Sequence, residues 1–183
     1  MITIIYIVPS LIIAGPINVL YNTVRHLDRT RFRPVIIALS EPESEYRNNS
    51  SLFSALGIEI IFLKKTRWQL QFHYKAIAQK IRSQYPDDDI IFHAHGYYPT
   101  LIASEIKDAK TMTTIHNICD QDFRMRKGRW MGGYMSYRFK QSLKKLSIAI
   151  TICDSMKQYY ANSSLRLTTV YNGVERPETI HSE

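Results

Sequence analysis

Seven short apolar runs recur along this chain: 2-ITIIYIV-8, 34-PVIIALS-40, 58-IEIIFL-63, 90-IIFHA-94, 111-TMTTIH-116, 148-IAITIC-153 and 167-LTTVYN-172. Most are continuous rather than alternating in polarity. A half-exposed strand alternates, because successive side chains point to opposite faces. A continuous run of about four to eight residues instead fits a strand covered on both faces. Helical patterns lie between the runs. Ile17, Leu20, Val24 and Leu27 share one face of a segment over 16–28, with Pro16 at the first helical position. Leu70, Tyr74, Ile77 and Ile81 share another over 70–85, which Pro86 ends. Further helices are expected near 46–56, 97–107, 131–146 and 154–161. The segment 117–130 is polar and basic, and is expected as a long mobile loop. Strand and helix alternate with short connections. The fold class is therefore α/β, a doubly wound parallel sheet of about seven strands with helices on both faces.

Composition narrows the function classes. A hydrophobic share of 45% and a charged share of 22% over 183 residues describe one ordinary globular domain, not a disordered chain. Cys119 and Cys153 are the only cysteines, so there is no disulfide framework and a reducing compartment fits. No basic residue precedes the apolar N-terminal run, which makes a poor signal peptide. Pro9 and Gly15 interrupt that run too early for it to span a bilayer, so a buried first strand is expected. The net charge of +8 is local. Between 123 and 145 stand Arg124, Arg126, Lys127, Arg129, Arg138, Lys140, Lys144 and Lys145, with no acid; the rest of the chain is balanced.

Ligands of such sheets bind beyond the carboxyl ends of the strands. Three separate stretches point there: Gly15 after the first strand, His93 and His95 at the end of the fourth, and His116 at the end of the fifth. His93 and His95 are two apart, so they share a face. Three readings of 93-HAH-95 stand: one core histidine and one solvated, a metal pair, or hydrogen bonding and base assistance to a substrate hydroxyl. For the metal reading, His116, Asp120 and Asp122 are the obvious further ligands. The turn 10-SLIIAGPINV-19 has one glycine and is no dinucleotide fingerprint; it is either a plain strand-to-helix turn or one whose amides meet a phosphate or sugar. The triplet 87-DDD-89 reads as a solvated turn. The stretch 123-FRMRKGRWMGGYMSYRFKQSLKK-145 mixes cations with aromatics. It is either a solvated helix face with Met135, Phe139, Leu143 and Leu146 as its core stripe, or a contact for an anionic membrane or lipid-linked substrate. No nucleic-acid module accompanies the charge.

Taken together, 4-IIYIVPSLIIAGPINVL-20, 25-RHLDRTRF-32, 55-ALGIEIIFL-63, 85-YPDDDIIFHAHGYYPTLIAS-104, 113-TTIHN-117 and 171-YNGVERPE-178 resemble the N-terminal half of the family 4 glycosyltransferases, retaining enzymes with two Rossmann-like domains in the GT-B architecture. The resemblance covers nearly the whole chain in the right order. It implies a Rossmann-like N-terminal domain over 1–174 and the start of an interdomain linker over 175–183, with the C-terminal donor-binding domain absent from this chain. It implies His95 as the active-site histidine. Ala14, Gly15 and Pro16 would form the loop near donor phosphate or acceptor sugar, and the family's first glycine is Ala14 here. His93, Gly96, His116 and Asn117 would line the cleft, and Asn172 and Gly173 would precede the hinge. Arg124, Arg126, Lys127, Arg129 and Trp130 would meet an anionic membrane or acceptor.

The expected function is transfer of a hexosyl group from a nucleoside diphosphate sugar to a glycan acceptor, lipid-linked or free, in polysaccharide or glycoconjugate synthesis. The nucleotide sugar is a substrate, and neither cofactor nor metal is called for. The expected partners are a C-terminal domain or separate subunit and the acceptor, not nucleic acid. The expected location is the cytoplasm, at the inner face of the membrane. The chain alone would be inactive. Two rivals remain: a non-catalytic lipid- or acceptor-binding module, and a metal hydrolase using His93, His95 and His116.

Overall fold

A computed structural model describes residues 1–42, 48–87, 89–161 and 164–173. Chain order gives β1 (Ile2–Val8), α1 (Gly15–Arg25), β2 (Phe32–Ala38), α2 (Ser50–Ala55), β3 (Glu59–Phe62), α3 (Arg67–Phe72), α4 (Tyr74–Gln84), β4 (Ile90–His95), α5 (Tyr97–Ala103), β5 (Lys110–Ile115), α6 (Cys119–Leu143), β6 (Ile148–Thr151), α7 (Asp154–Ala161) and β7 (Leu167–Thr169). The strands form one seven-stranded sheet in the order β3-β2-β1-β4-β5-β6-β7, and every pairing is parallel. This is the Rossmann-like α/β fold that the apolar runs imply.

The two-residue side-chain period of β1 sorts its residues between two cores. Ile5 and Ile7 pack with Val35, Ile37 and the buried faces of α3, α4 and α5. Ile4, Tyr6 and Val8 pack with Ile36, Ala38 and, from α1, Ile17, Leu20 and Val24. A strand buried on both faces must be apolar throughout, which is why these runs do not alternate. A third cluster joins Ile115 and Ala149 to Cys119, Phe139, Leu143, Met156 and Tyr160 of α6 and α7.

Two segments depart from the sequence expectation. The helix expected over 70–85 is divided at His73, because α3 carries its own start signal. Gln69 N–H donates to Thr66 Oγ1 at 3.3 Å, and Thr66 N–H donates to Gln69 Oε1 at 3.0 Å, a reciprocal cap. The larger correction concerns 117–130. Residues 119–127 are helical, and Gly128, at φ 76° and ψ 173°, turns the chain into a second helical stretch over 129–143. The two arms fold back on each other. Phe123 meets Phe139 edge to face at 5.8 Å, Ser136 Oγ donates to Cys119 O at 3.1 Å, and Lys140 pairs with Asp120. The first arm has no continuous apolar stripe because one partner face is the second arm, met by a few residues only. Its cations Arg124, Arg126 and Lys127 are exposed.

Where the arms touch, the second has no room for a side chain. A Cβ on Gly132 would stand 2.5 Å from Phe123 O and 2.6 Å from Arg124 N. A Cβ on neighbouring Gly133 would meet nothing within 4 Å. Gly132→Ala should therefore lower stability by about 1–3 kcal/mol through overpacking against backbone. Gly133→Ala should be neutral or raise it by up to about 1 kcal/mol through helix propensity. Paired thermal melts read the difference, and equal effects would contradict the folded-back hairpin.

Candidate functional site

The sheet order reverses between β1 and β4. From β1 the chain runs outward through β2 and β3, then returns to the other side of β1. Such a switch point leaves a crevice, because the connections from the two central strands depart to opposite sides. The carboxyl ends of β1, β4 and β5 lie side by side there, with Tyr6 opposite His93 and His95 opposite Thr114. A cleft of about 410 Å³ opens at this edge.

His95, Gly96, His116, Asn117, Ala14 and Pro16 all line it. Residues from three loops thus meet at one rim. Gly15 starts α1 beside them, and a Cβ there would meet nothing within 4 Å. Ala14 caps α1 in extended backbone at φ −158°, a conformation open to any residue, so no glycine is needed at that position. Ile17 and Asn18 N–H both donate to Ala14 O at 3.0 Å, and Pro16 has no N–H, which leaves at most the Ala14 and Gly15 amides to face a ligand. Gly96 is different. It turns β4 into α5 at φ 98°, and a Cβ would stand 3.2 Å from Pro9 Cγ. Only glycine fits that turn without strain.

The two histidines of β4 occupy unlike places. His93 lies outside the cleft lining. Its Nε2 is 2.8 Å from Thr114 Oγ1, and its ring lies 5.3 Å from that of Tyr6 and 4.5 Å from that of His95. His95 is only 3% exposed. Its Nδ1 is 3.1 Å from His116 Nε2, so one of these nitrogens donates and the other accepts. Its second nitrogen, Nε2, is buried with no hydrogen-bond partner. A buried polar atom left unsatisfied costs about 1–3 kcal/mol, and this one belongs to a residue of the cleft lining. Desolvation holds these imidazoles neutral. Burial and the nearby His116 push His93 down to about 3, burial pushes His116 down to about 4, and burial followed by the two neighbouring histidines drives His95 well below its ordinary 6.5. The histidines bond to each other or to Thr114, and among the described residues no group of three or more His, Cys, Asp or Glu is placed to hold a metal ion.

The basic hairpin divides at the cleft edge. Arg126 and Lys127 line the cleft, and Arg126 pairs with Asp122 at 3.0 Å. Arg124, Arg129 and Trp130 are exposed outside it, Trp130 by 89%. Among the described residues Arg124, Lys127 and Arg129 pair with no carboxylate. Asn172 and Gly173 follow β7 at the sheet edge, exposed and outside the cleft lining. The linker expected over 175–183 lies outside the described residues. No helix among the described residues is long and apolar enough to cross a membrane.

Sequence reasoning did not single out Tyr97, Phe123, Met135 or Phe139 as wall residues of the cleft. Tyr97 follows the H-x-H-G run directly, which was the available signal. The others reach the wall through the fold-back of α6, which periodicity does not reveal.

A seven-stranded parallel α/β sheet with a crevice at its switch point defines a Rossmann-like domain. The chain belongs to Glycosyltransferase Family 4, whose pattern it matches over residues 13–176. No curated protein matches it in sequence. Among solved structures it is similar to the sucrose-phosphate synthase of Thermosynechococcus elongatus, with a TM-score of 0.66 and 9% identity over 96% of this chain and 49% of that one. It is similar to the N-terminal domain of Candida albicans trehalose-6-phosphate phosphatase, with a TM-score of 0.60 and 13% identity over 96% of this chain and 49% of that one. A glycosyltransferase from Rickettsia africae matches with a TM-score of 0.57 and 17% identity over 94% of this chain and 44% of that one. At such identities these likenesses speak for the fold. The chain spans about half the length of the structures it matches.

The imidazoles fix a pH signature. Their folded pKa values lie below the unfolded 6.5, so between those values the unfolded chain binds more protons. Stability should be level above pH 6.5 and fall as the pH drops toward about 4 for His116 and about 3 for His93. Thermal melts should show a lower Tm at about pH 5 than at about pH 7, before the carboxylates titrate. An unchanged Tm across that window would contradict the burial of the histidines.

Proposed function

We propose that this domain is the acceptor-side half of a hexosyltransferase. The complete enzyme would move a hexosyl group from a nucleoside diphosphate sugar to a hydroxyl of a glycan acceptor, with anomeric configuration retained. The unpartnered His95 Nε2 beside the crevice carries the reading. In it, His95 hydrogen-bonds the transferred sugar or the acceptor, and His116 holds His95 Nδ1 so that the ring keeps one tautomer and one orientation. The amides of Ala14 and Gly15 face the charge that grows on the diphosphate as the bond breaks. The nucleotide is held mainly by a second domain across the cleft, and the donor is a substrate, not a cofactor. An isolated half cannot fix donor against acceptor, so this chain alone should transfer little, since positioning supplies much of such a rate.

The same reading places the hairpin of α6 against an anionic membrane surface, at the inner face of the membrane, where lipid-linked acceptors are presented. Its exposed Met125, Trp130, Met131, Tyr134 and Tyr137 lie among cations, a composition suited to the headgroup region.

Two measurements test this. In the complete enzyme carrying this domain, His95→Asn should lower kcat by about 10²-fold with any nucleoside diphosphate hexose that wild type uses, and leave the fold intact by circular dichroism. Unchanged turnover removes His95 from the reaction. Separately, the chain should co-sediment with phosphatidylglycerol vesicles and not with phosphatidylcholine vesicles. Replacing Arg124, Lys127 and Arg129 by Gln should release it; binding that ignores both lipid charge and these residues would contradict the membrane contact.

A further inference from the structure

A second residue of the cleft lining carries a buried polar atom without a partner: Tyr97, through its hydroxyl. Tyr97 starts α5, immediately after the glycine that ends β4, and it lines the cleft with His95. Its ring is held on three sides. Tyr98 packs edge-on at 5.0 Å, Phe123 edge-on at 5.3 Å, and Phe139 stacks at 6.4 Å. Swinging the phenol out to water would break those contacts. Burial also pushes its ionisation up to about 12, so the group stays a neutral donor and acceptor at any ordinary pH.

A phenylalanine would fill the same space and leave no unsatisfied oxygen. Tyr160, which is fully buried, illustrates the ordinary arrangement: its hydroxyl accepts from Cys119 N–H at 3.0 Å and donates to Asn117 O at 3.4 Å. Tyr97 thus carries a desolvated hydroxyl that folding does not use. Phe123 and Phe139 flank the ring, Met135, His95 and His116 line the same cleft, and the cation that bears on the phenol is Arg138.

We infer that Tyr97 is a specificity-determining residue, whose hydroxyl bonds an oxygen of an amphiphilic acceptor: a sugar hydroxyl toward His95, with an apolar portion against Phe123, Met135 and Phe139. This deepens the proposed function and rests on it. A site that hydrogen-bonds a ligand oxygen rejects analogues lacking it, because its own buried polar group is then left unpaired. Acceptors carrying an apolar group beside the reacting sugar are favoured over free sugars for the same cleft.

The test uses the full chain with octyl β-D-glucopyranoside, kept below its micelle concentration, as the probe. Two-dimensional amide NMR titrations compare wild type, Tyr97→Phe and His95→Asn, with methyl β-D-glucopyranoside as the probe lacking the apolar chain. Wild type should bind the octyl glucoside with shifts at residues around Tyr97 and His95, and bind the methyl glucoside more weakly. Tyr97→Phe should weaken octyl glucoside binding about tenfold. The unliganded variant should melt about 2–4 °C higher, because an unpaired buried hydroxyl is gone. Binding by Tyr97→Phe equal to wild type, or a lower Tm, overturns the role of Tyr97. If His95→Asn still weakens binding in that case, the sugar-binding reading of the cleft stands without Tyr97. If wild type shows no binding, or neither variant changes it, both inferences fall together.

Discussion

Everything that positions the site depends on β4 pairing in parallel between β1 and β5. Because β4 returns beside β1 after the chain has left through β2 and β3, the ends of three strands come together with no connection crossing above them. The register then decides which side chains meet. His95 lies opposite Thr114, one residue short of the strand end, and His116 follows directly after β5. A shift of one residue in β4 would send both histidines to the other face of the sheet. The apolar run before them prevents that shift, since Phe92 and Ala94 are fully buried on the opposite face.

The site opposes the stability of the fold that holds it. Burial disfavours the charged forms of three imidazoles, and two polar atoms, His95 Nε2 and Tyr97 Oη, have no protein partner. Neither arrangement helps the chain to fold. The surrounding cores supply the difference, with Ile5, Ile7, Ile36 and Ile37 wholly removed from water. The neutral pair also carries chemical information. If His116 Nε2 donates to His95 Nδ1, His95 Nε2 bears the proton and is a donor; in the reverse arrangement it is an acceptor. A sugar hydroxyl can satisfy either.

Much of this was legible in the sequence, for identifiable reasons. Burial on both faces forces continuous apolar strands, so the seven runs gave the sheet. Strand periodicity put His93 and His95 on one face, and βα topology put Gly15, His95 and His116 near one rim. What periodicity could not tell was depth: His93 and His95 share a face, yet only His95 lines the cleft, because the strand ends there. Ala14 looked like a departure in the first turn, but its extended backbone needs no glycine. The segment 117–130 was the main structural misreading. Its helical arm is stabilised by contacts from residues about twenty positions away, such as Lys140 to Asp120 and Ser136 to Cys119, and no local pattern records them. The cleft wall of Phe123 and Phe139 was hidden for the same reason.

The central claim is that His95 and His116 form a buried, neutral, mutually hydrogen-bonded pair whose outer nitrogen is left for a ligand. Nitrogen-15 NMR of the imidazole rings tests it most directly. The account predicts that at about pH 6 both rings are neutral, each locked in a single tautomer, with neither titrating near the ordinary histidine value. Rapid tautomer averaging in either ring, or a midpoint close to 6.5 for His95, would show that water reaches the pair and that the crevice is not the preformed site described.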